Sequence, residues 1–331
     1  MCLNSICSIM LRFSIAIALL IIPFFFQPVM PLTGFIAVLN VCGYKTPVNP
    51  GSIRNMLFSP GSLGDTFANC SYGLSSIRLK ILPDPIYIPC NIFQPGTCSY
   101  DAWVDYADSL IRDANLLNLQ HAIYIVPYGP PCNWAGLGMV GCGTRRPCRV
   151  WINGQFAMVS DTYFHELGHN MGLNHAASIK PLYKGADLSY SDFSCGMGYC
   201  CSRRCYNAPH SEQLGWMSEG IVIDRGTFPI GTNNTYYLKD ARSSRSAYLR
   251  VQTEWAWVYI EYRRNKGIDS GLPYSSVNII TTPIGNALGI RTVLQASLQF
   301  PRQYWKGYGL RVILYTNTNT NSVKVYITRI A

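Results

Sequence analysis

Charge is scarce in this 331-residue chain: Asp, Glu, Lys and Arg together make up 13 %, against 48 % apolar residues. A chain so composed can bury a core, which excludes a disordered tail. It holds no internal repeat and no long low-complexity tract, so fibrous architectures are excluded too. No Gly-x-Ser-x-Gly nucleophile elbow occurs, which removes the serine-hydrolase reading. No nucleic-acid-binding motif accompanies the formal net charge of +10. Histidine is rare, with five residues, and cysteine stops early, with thirteen residues and none beyond Cys205.

Residues 1–30 stand apart. Arg12 precedes an apolar run, Phe13 to Phe26, broken only by Ser14 and Pro23. This is the pattern of a secretory signal peptide, and a membrane span needs about 20 apolar residues. The run predicts export after cleavage, or a signal anchor tethering the chain through residues 13–26. Cys2 and Cys7 belong to this leader. The other eleven cysteines, Cys42 to Cys205, read as a disulfide framework with one thiol left over. Two tripeptides, Asn69-Cys70-Ser71 and Asn233-Asn234-Thr235, fit the acceptor pattern for N-glycosylation.

The end of the cysteines coincides with a change in charge. Residues 31–217 carry 12 basic and 11 acidic side chains, whereas 218–331 carry 14 and 6. That shift predicts two domains with a boundary near Trp216. The first alternates strand and helix patterns in an α/β or α+β layout. Strands are expected at Gly34–Val41, Ala122–Val126 and Arg149–Asn153. One amphipathic helix is expected over 101–117, burying Trp103, Ala107, Leu110, Ile111, Ala114 and Leu117. A further helix begins at Asp161, capped by Ser160. The second domain reads as all-β and sandwich-like, with strands at Tyr248–Gln252, Trp255–Tyr262, Val277–Ile280, Thr292–Ala296, Leu310–Tyr315 and Val323–Thr328. In the last, Val323, Val325 and Ile327 face one way, Lys324, Tyr326 and Thr328 the other.

Three of the five histidines fall in eleven residues, His165-Glu166-Leu167-Gly168-His169-Asn170-Met171-Gly172-Leu173-Asn174-His175. Side chains four apart share a helix face, so His165 and His169 present two imidazoles to one point. Glu166 lies about 100° round the helix, beside that point. Gly172 can take a positive φ and end the helix, so that the returning chain supplies His175. Three protein ligands leave a position for water or substrate, the arrangement of a catalytic Zn2+ site. Glu166 is the expected general base for peptide hydrolysis.

The extended motif resembles that of the metzincins, in which a methionine turn lies beneath the zinc site. On that resemblance Met197, in Ser194-Cys195-Gly196-Met197-Gly198-Tyr199, is the turn methionine, packing rather than ligating. Tyr199, two residues on, is where some metzincins place a tyrosine that stabilises the transition state. Within the metzincins the chain is similar to the gametolysin family, peptidase family M11, the cell-wall-lysing proteases of volvocine green algae. The zinc motif carries that likeness with Asn69-Cys70-Ser71-Tyr72-Gly73 and the stretch Asn207-Ala208-Pro209-His210-Ser211-Glu212-Gln213-Leu214-Gly215-Trp216. More weakly, Tyr259-Ile260-Glu261-Tyr262-Arg263 and Asp269-Ser270-Gly271-Leu272-Pro273 extend it. The resemblance implies a metzincin-like catalytic domain and a secreted zinc metalloendopeptidase. Its substrate would be a proline- or hydroxyproline-rich glycoprotein of the cell wall or extracellular matrix. It also implies a long propeptide, whereas here the domain pattern starts close behind the leader. Some members carry Gln where this chain has His165.

Other readings stay open. Cys195, Cys200, Cys201 and Cys205 crowd together, as disulfides or as a second zinc site. His210 has no partner at ligand spacing and reads as structural. The basic second domain reads as a solvated surface or as a hold on acidic polysaccharide or wall glycoprotein. A catalytically silent wall-binding protein on the same zinc fold is the alternative function.

Overall fold

The computed structural model describes residues 30–93, 96–128, 132–143, 147–199, 201–285 and 290–331. The expected leader, with the 13–26 run, lies outside the described residues, as does Cys200. Among the described residues no helix is long and apolar enough to cross a membrane.

The chain is α+β, with three sheets. The first contains β1 (Met30–Val41), β2 (Ser75–Ile81), β3 (Ile86–Ile88), β4 (His121–Val126), β5 (Gly136–Gly138) and β6 (Cys148–Asn153). Its order is β2-β1-β4-β6-β5, with β3 paired to the far end of β1. All pairings are parallel except that of β5, which runs antiparallel to β6 along the edge. Phe35 to Leu39 are buried on both faces, as a central parallel strand requires. Ile36 and Val38 point to one side, against Ile53, Leu57, Leu63 and Phe67 of helices Pro50–Phe58 and Leu63–Cys70 and against Leu167 of helix Ser160–Asn170. Phe35, Ala37 and Leu39 point to the other, against Trp103, Val104 and Ala107 of helix Tyr100–Leu110.

The second sheet has the order β7-β13-β12-β11-β10-β8: β7 (Ala176–Ser178), β13 (Thr292–Leu298), β12 (Ser276–Thr282), β11 (Trp257–Arg263), β10 (Tyr248–Gln252) and β8 (Ile221–Ile223). The third runs β14 (Tyr304–Gly307), β15 (Leu310–Leu314), β16 (Ser322–Arg329) and β9 (Asn233–Lys239). One buried cluster joins them: Leu249, Val258, Ile260 and Val277 meet Val312, Leu314, Val325 and Ile327. β7 starts one residue after His175, and its ladder with β13 ties the first half of the chain to the second.

Several expectations need correction. The helix expected over 101–117 is two pieces: Tyr100–Leu110 ends, Ile111 turns extended, and Asp113 caps a short helix at Ala114–Leu117 by accepting from Asn115 N. The break rotates the expected face, so Leu110 is 47 % exposed while Val104 and Leu116 are buried. Ser160 sits inside its helix; Val159 holds the cap position, and no side-chain cap bond forms there. β1 starts four residues earlier than expected. Strands β2, β3, β5, β7, β8, β9 and β14 were not expected: β3, β5, β7 and β8 are three residues each and too short to carry a pattern, whereas β2 does alternate Ile77, Leu79 and Ile81 with Ser76, Arg78 and Lys80.

The disulfides are Cys42–Cys90, Cys70–Cys205, Cys98–Cys132 and Cys142–Cys148. Cys201 is disulfide-bonded as well, and the free thiol among the described residues is buried Cys195. With Cys201 and Cys205 so engaged, the cysteine cluster offers no set of thiolates for a second zinc.

Candidate metal centre

Helix Ser160–Asn170 lies across the sheet close to edge strand β5, and the run from Thr162 to Asn170 is buried. The helix ends as the glycine suggests. Gly172 has φ 94°, its N–H bonds to His169 O at 2.8 Å, and Leu173 N–H bonds to Gly168 O at 3.0 Å. This paired closure lets a left-handed glycine reverse the chain within two residues. The reversal brings His175 back to the two helical histidines. One ligand nitrogen from each of His165, His169 and His175 lies within 4.8 Å of the others. The His169 and His175 Nε2 atoms are 3.0 Å apart.

On two of the rings the other nitrogen is engaged. His165 Nδ1 is 2.9 Å from Gly196 O and His169 Nδ1 is 2.9 Å from Leu173 O. With Nδ1–H donating to a carbonyl, Nε2 carries the lone pair, the form a metal ligand needs. Burial holds all three rings neutral: His165 lies well below the ordinary imidazole range, His169 is lowered, and His175 is brought down to about 4. This donor set fits a borderline cation such as Zn2+.

Glu166 is 6 % exposed, and burial pushes its carboxyl up to about 8. It lines a cleft of about 340 Å³ with the three histidines, Trp134, Thr162 and Tyr190. Gly136 of β5 faces it: a Cβ there would stand 2.7 Å from Glu166 Cγ and Oε1. Gly138 permits an equally close approach to the backbone of Glu166. The glycines of Gly136-Leu137-Gly138 thus let a strand edge lie directly on the helix.

Met197 is fully buried against the histidine-bearing helix. A side chain at Gly168 would run into Met197 Sδ, so this glycine lets the thioether reach the helix. Ala176 N bonds to Met197 O at 2.9 Å, joining the methionine segment to the start of β7. Tyr199 stands apart, 46 % exposed, with its hydroxyl 3.3 Å from that of Tyr183. The tyrosine against the site is Tyr190, whose ring centroid is 4.0 Å from that of His175. It comes from the turn Leu188–Tyr190, where no motif marked it.

Two other residues escaped the sequence reading. Asn170 donates to Met139 O at 3.0 Å and Arg149 O at 3.1 Å, and its Oδ1 lies 3.0 Å from His121 Nδ1. It fastens the end of the histidine helix to the sheet. Arg263 of β11 is fully buried; it donates to Ser194 O at 2.9 Å and makes a two-point contact with Asp269 at 2.6 and 2.7 Å. His210 is buried and neutral, burial bringing it down to about 3; its Nδ1 is 3.4 Å from Cys195 Sγ. A larger cavity of about 910 Å³ lies between the segment after β7 and the β13–β14 corner, away from the histidines. Donor chemistry, rather than size, marks the smaller cleft as the reactive one.

Comparison with known sequences matches this geometry to a family. The profile of gametolysin peptidase M11 aligns with residues 32–282. Autolysin of Chlamydomonas reinhardtii is 36 % identical over 100 residues, which cover 28 % of this chain and 14 % of that protein.

Proposed function

The chain belongs to the gametolysin peptidases, family M11, and from that premise we propose that it is a zinc-dependent endopeptidase of metzincin type. The observation that carries this reading is the convergence of three neutral imidazoles on one point beside a buried carboxylate. His165, His169 and His175 would hold the ion, the first two oriented by the carbonyls of Gly196 and Leu173. Bound there, zinc supplies an electrophile for the scissile carbonyl, acidifies the attacking water and favours the ionised form of Glu166.

Glu166 takes the proton from that water and passes it to the departing amine. The peptide bond breaks, one water is consumed, and no acyl-enzyme forms. The walls at Trp134 and Tyr190 restrict water around the reacting carbonyl. Met197 supports the histidine floor by packing. Tyr199, its hydroxyl 3.3 Å from that of Tyr183, is not among the residues lining the cleft.

Segment 31–217 supplies every residue of the cleft named here, and we assign it as the catalytic domain. Segment 218–331 is its β-rich partner, with two sheets sharing one core in the manner of a sandwich. The substrate is a proline- or hydroxyproline-rich wall or matrix glycoprotein, and the chain acts after export. Both statements rest on the family and on the disulfide content, which suits an oxidising compartment.

Zinc per chain and hydrolysis of gelatin and of a proline-rich wall glycoprotein, with and without chelator, test the proposal. One zinc and chelator-sensitive cleavage are expected. Glu166→Ala retains the zinc and loses at least about 10²-fold in kcat. Zinc with no cleavage by the folded wild type would favour a silent wall-binding protein; no zinc would overturn the ligand assignment.

A further inference from the structure

The outer face of the four-stranded sheet is neither apolar nor ordinarily hydrated. Val323, Val325 and Ile327 of β16 are buried, so Lys324, Tyr326 and Thr328 face outward. Pairing sets them in rows. Tyr304 of β14 lies opposite Ile313, Ile313 opposite Tyr326, and Tyr326 opposite Thr235. In the next row Tyr315 bonds through its N–H to Lys324 O, and Lys324 lies opposite Tyr237. Lys306 and Arg311 form a third pair.

Four tyrosines and a group of cations therefore share one surface. Tyr237, Tyr304 and Tyr315 are 69, 60 and 54 % exposed. The Lys324 ammonium stands 5.1 Å from the Tyr326 ring, 5.5 Å from Tyr315 and 5.9 Å from Tyr237. The Arg311 guanidinium lies 5.0 Å over Tyr304. Among the described residues no ion pair is formed by Lys306, Arg311, Lys324 or Lys239, the strands β14, β15 and β16 carry no Asp or Glu, and β9 brings Tyr237 and Lys239 to the same face. Cation–π pairing across strands stabilises a sheet, but it does not require three rings to stay more than half exposed.

We propose that this face is a platform for an anionic polysaccharide. Sugar rings present flat C–H faces that stack on phenol rings, and their hydroxyls bond to phenolic O–H groups. Carboxylates or sulfates on the sugars meet Lys306, Arg311, Lys324 and Lys239. Adjacent strands are about 4.8 Å apart, close to the advance of one sugar along an extended chain, so successive residues of the polymer meet successive strands. Tyr304 also lines the 910 Å³ cavity with Lys180, Arg302 and Gln303; Ser178 and Ser191 form its other wall.

Affinity electrophoresis of the full chain through gels containing polygalacturonate or dextran sulfate tests the platform, with dextran and polyglutamate as controls. Binding does not depend on peptidase activity and is read equally in Glu166→Ala. Retardation by polygalacturonate or dextran sulfate is expected, with affinity at least ten-fold weaker for dextran and polyglutamate. The Tyr237→Ala/Tyr304→Ala pair loses ten-fold or more, and Lys324→Gln loses several-fold, with circular dichroism unchanged in both. Equal retardation by polyglutamate, no retardation by either polysaccharide, or undiminished binding by the tyrosine pair overturns the proposal.

Discussion

Glu166 depends on a residue that has no side chain. Its carboxylate lies against Gly136 so closely that a methyl group there would have to displace it. Gly136→Ala is therefore expected to leave zinc content unchanged and to lower kcat by ten-fold or more. Metal analysis beside initial rates on gelatin checks this, and an unchanged kcat would show that Glu166 has room to spare. That His165, His169 and Glu166 meet was legible from spacing because a helix fixes the directions of neighbours by covalent geometry, and Gly172 signalled the reversal that returns His175. Gly136 was not, since Gly-Leu-Gly carries no local pattern and its meaning comes from a helix 24 or more residues away. Tyr190 makes the same point: the metzincin likeness offered Tyr199 as one possibility beside simple packing, whereas the ring that meets His175 is that of Tyr190, from a turn no motif marks.

At the scale of elements, strong apolar periodicity survived and weak signals did not. β4, β6, β10, β12, β15 and β16 fall within two residues of their expected bounds. Helix 101–117 failed at Asp113, whose side chain caps a new turn rather than continuing the old one. Helix Leu63–Cys70 is joined to the segment behind Met197 by Cys70–Cys205, a bridge spanning 135 residues. Closing so long a loop restricts the unfolded chain, and by loop entropy the bridge contributes about 5 kcal/mol. Replacing both cysteines with serine is expected to lower the urea midpoint accordingly. A loss below about 1 kcal/mol would mean that packing of Phe67 on Phe164 already holds the helix.

For the whole molecule, the two halves of the chain are locked together under the metal centre. Arg263 from β11 reaches Ser194 O, and Asp269 accepts from Cys205 N at 2.8 Å, so both flanks of Met197 are held from the second half. Thr292 Oγ1 adds a contact at 3.0 Å from Asn207 Nδ2. Burial raises the Asp269 carboxyl, but Arg263 and Arg242 outweigh it and hold it below its usual value. Its stabilisation is thus complete above the unfolded value near 3.9 and is lost as pH falls below that. Asp269→Asn removes the closer of the two carboxylates beside buried Arg263, leaving only Glu261 at 3.5 Å, and is expected to cost about 3 kcal/mol at neutral pH. Unfolding measured at pH 7 and pH 3.5 checks this: the gap between variant and wild type should narrow at the lower pH. A gap that stays constant would place the stabilisation in packing instead.

The sequence by itself determined what local geometry can encode. Helical spacing brings two histidines and a glutamate together, a glycine returns a third histidine, and alternation fixes which face of β16 is buried. Composition alone foretold a disulfide framework with one thiol to spare. Tertiary structure decided everything that needs two distant segments: which cysteine stays free, which strand edge lies on Glu166, which tyrosine meets His175, and how Tyr237, Tyr304, Tyr315 and Tyr326 come to share a face. The physical reason is that contacts within a turn follow from backbone dihedrals, whereas sheet pairing and core packing are chosen by the free energy of the whole chain.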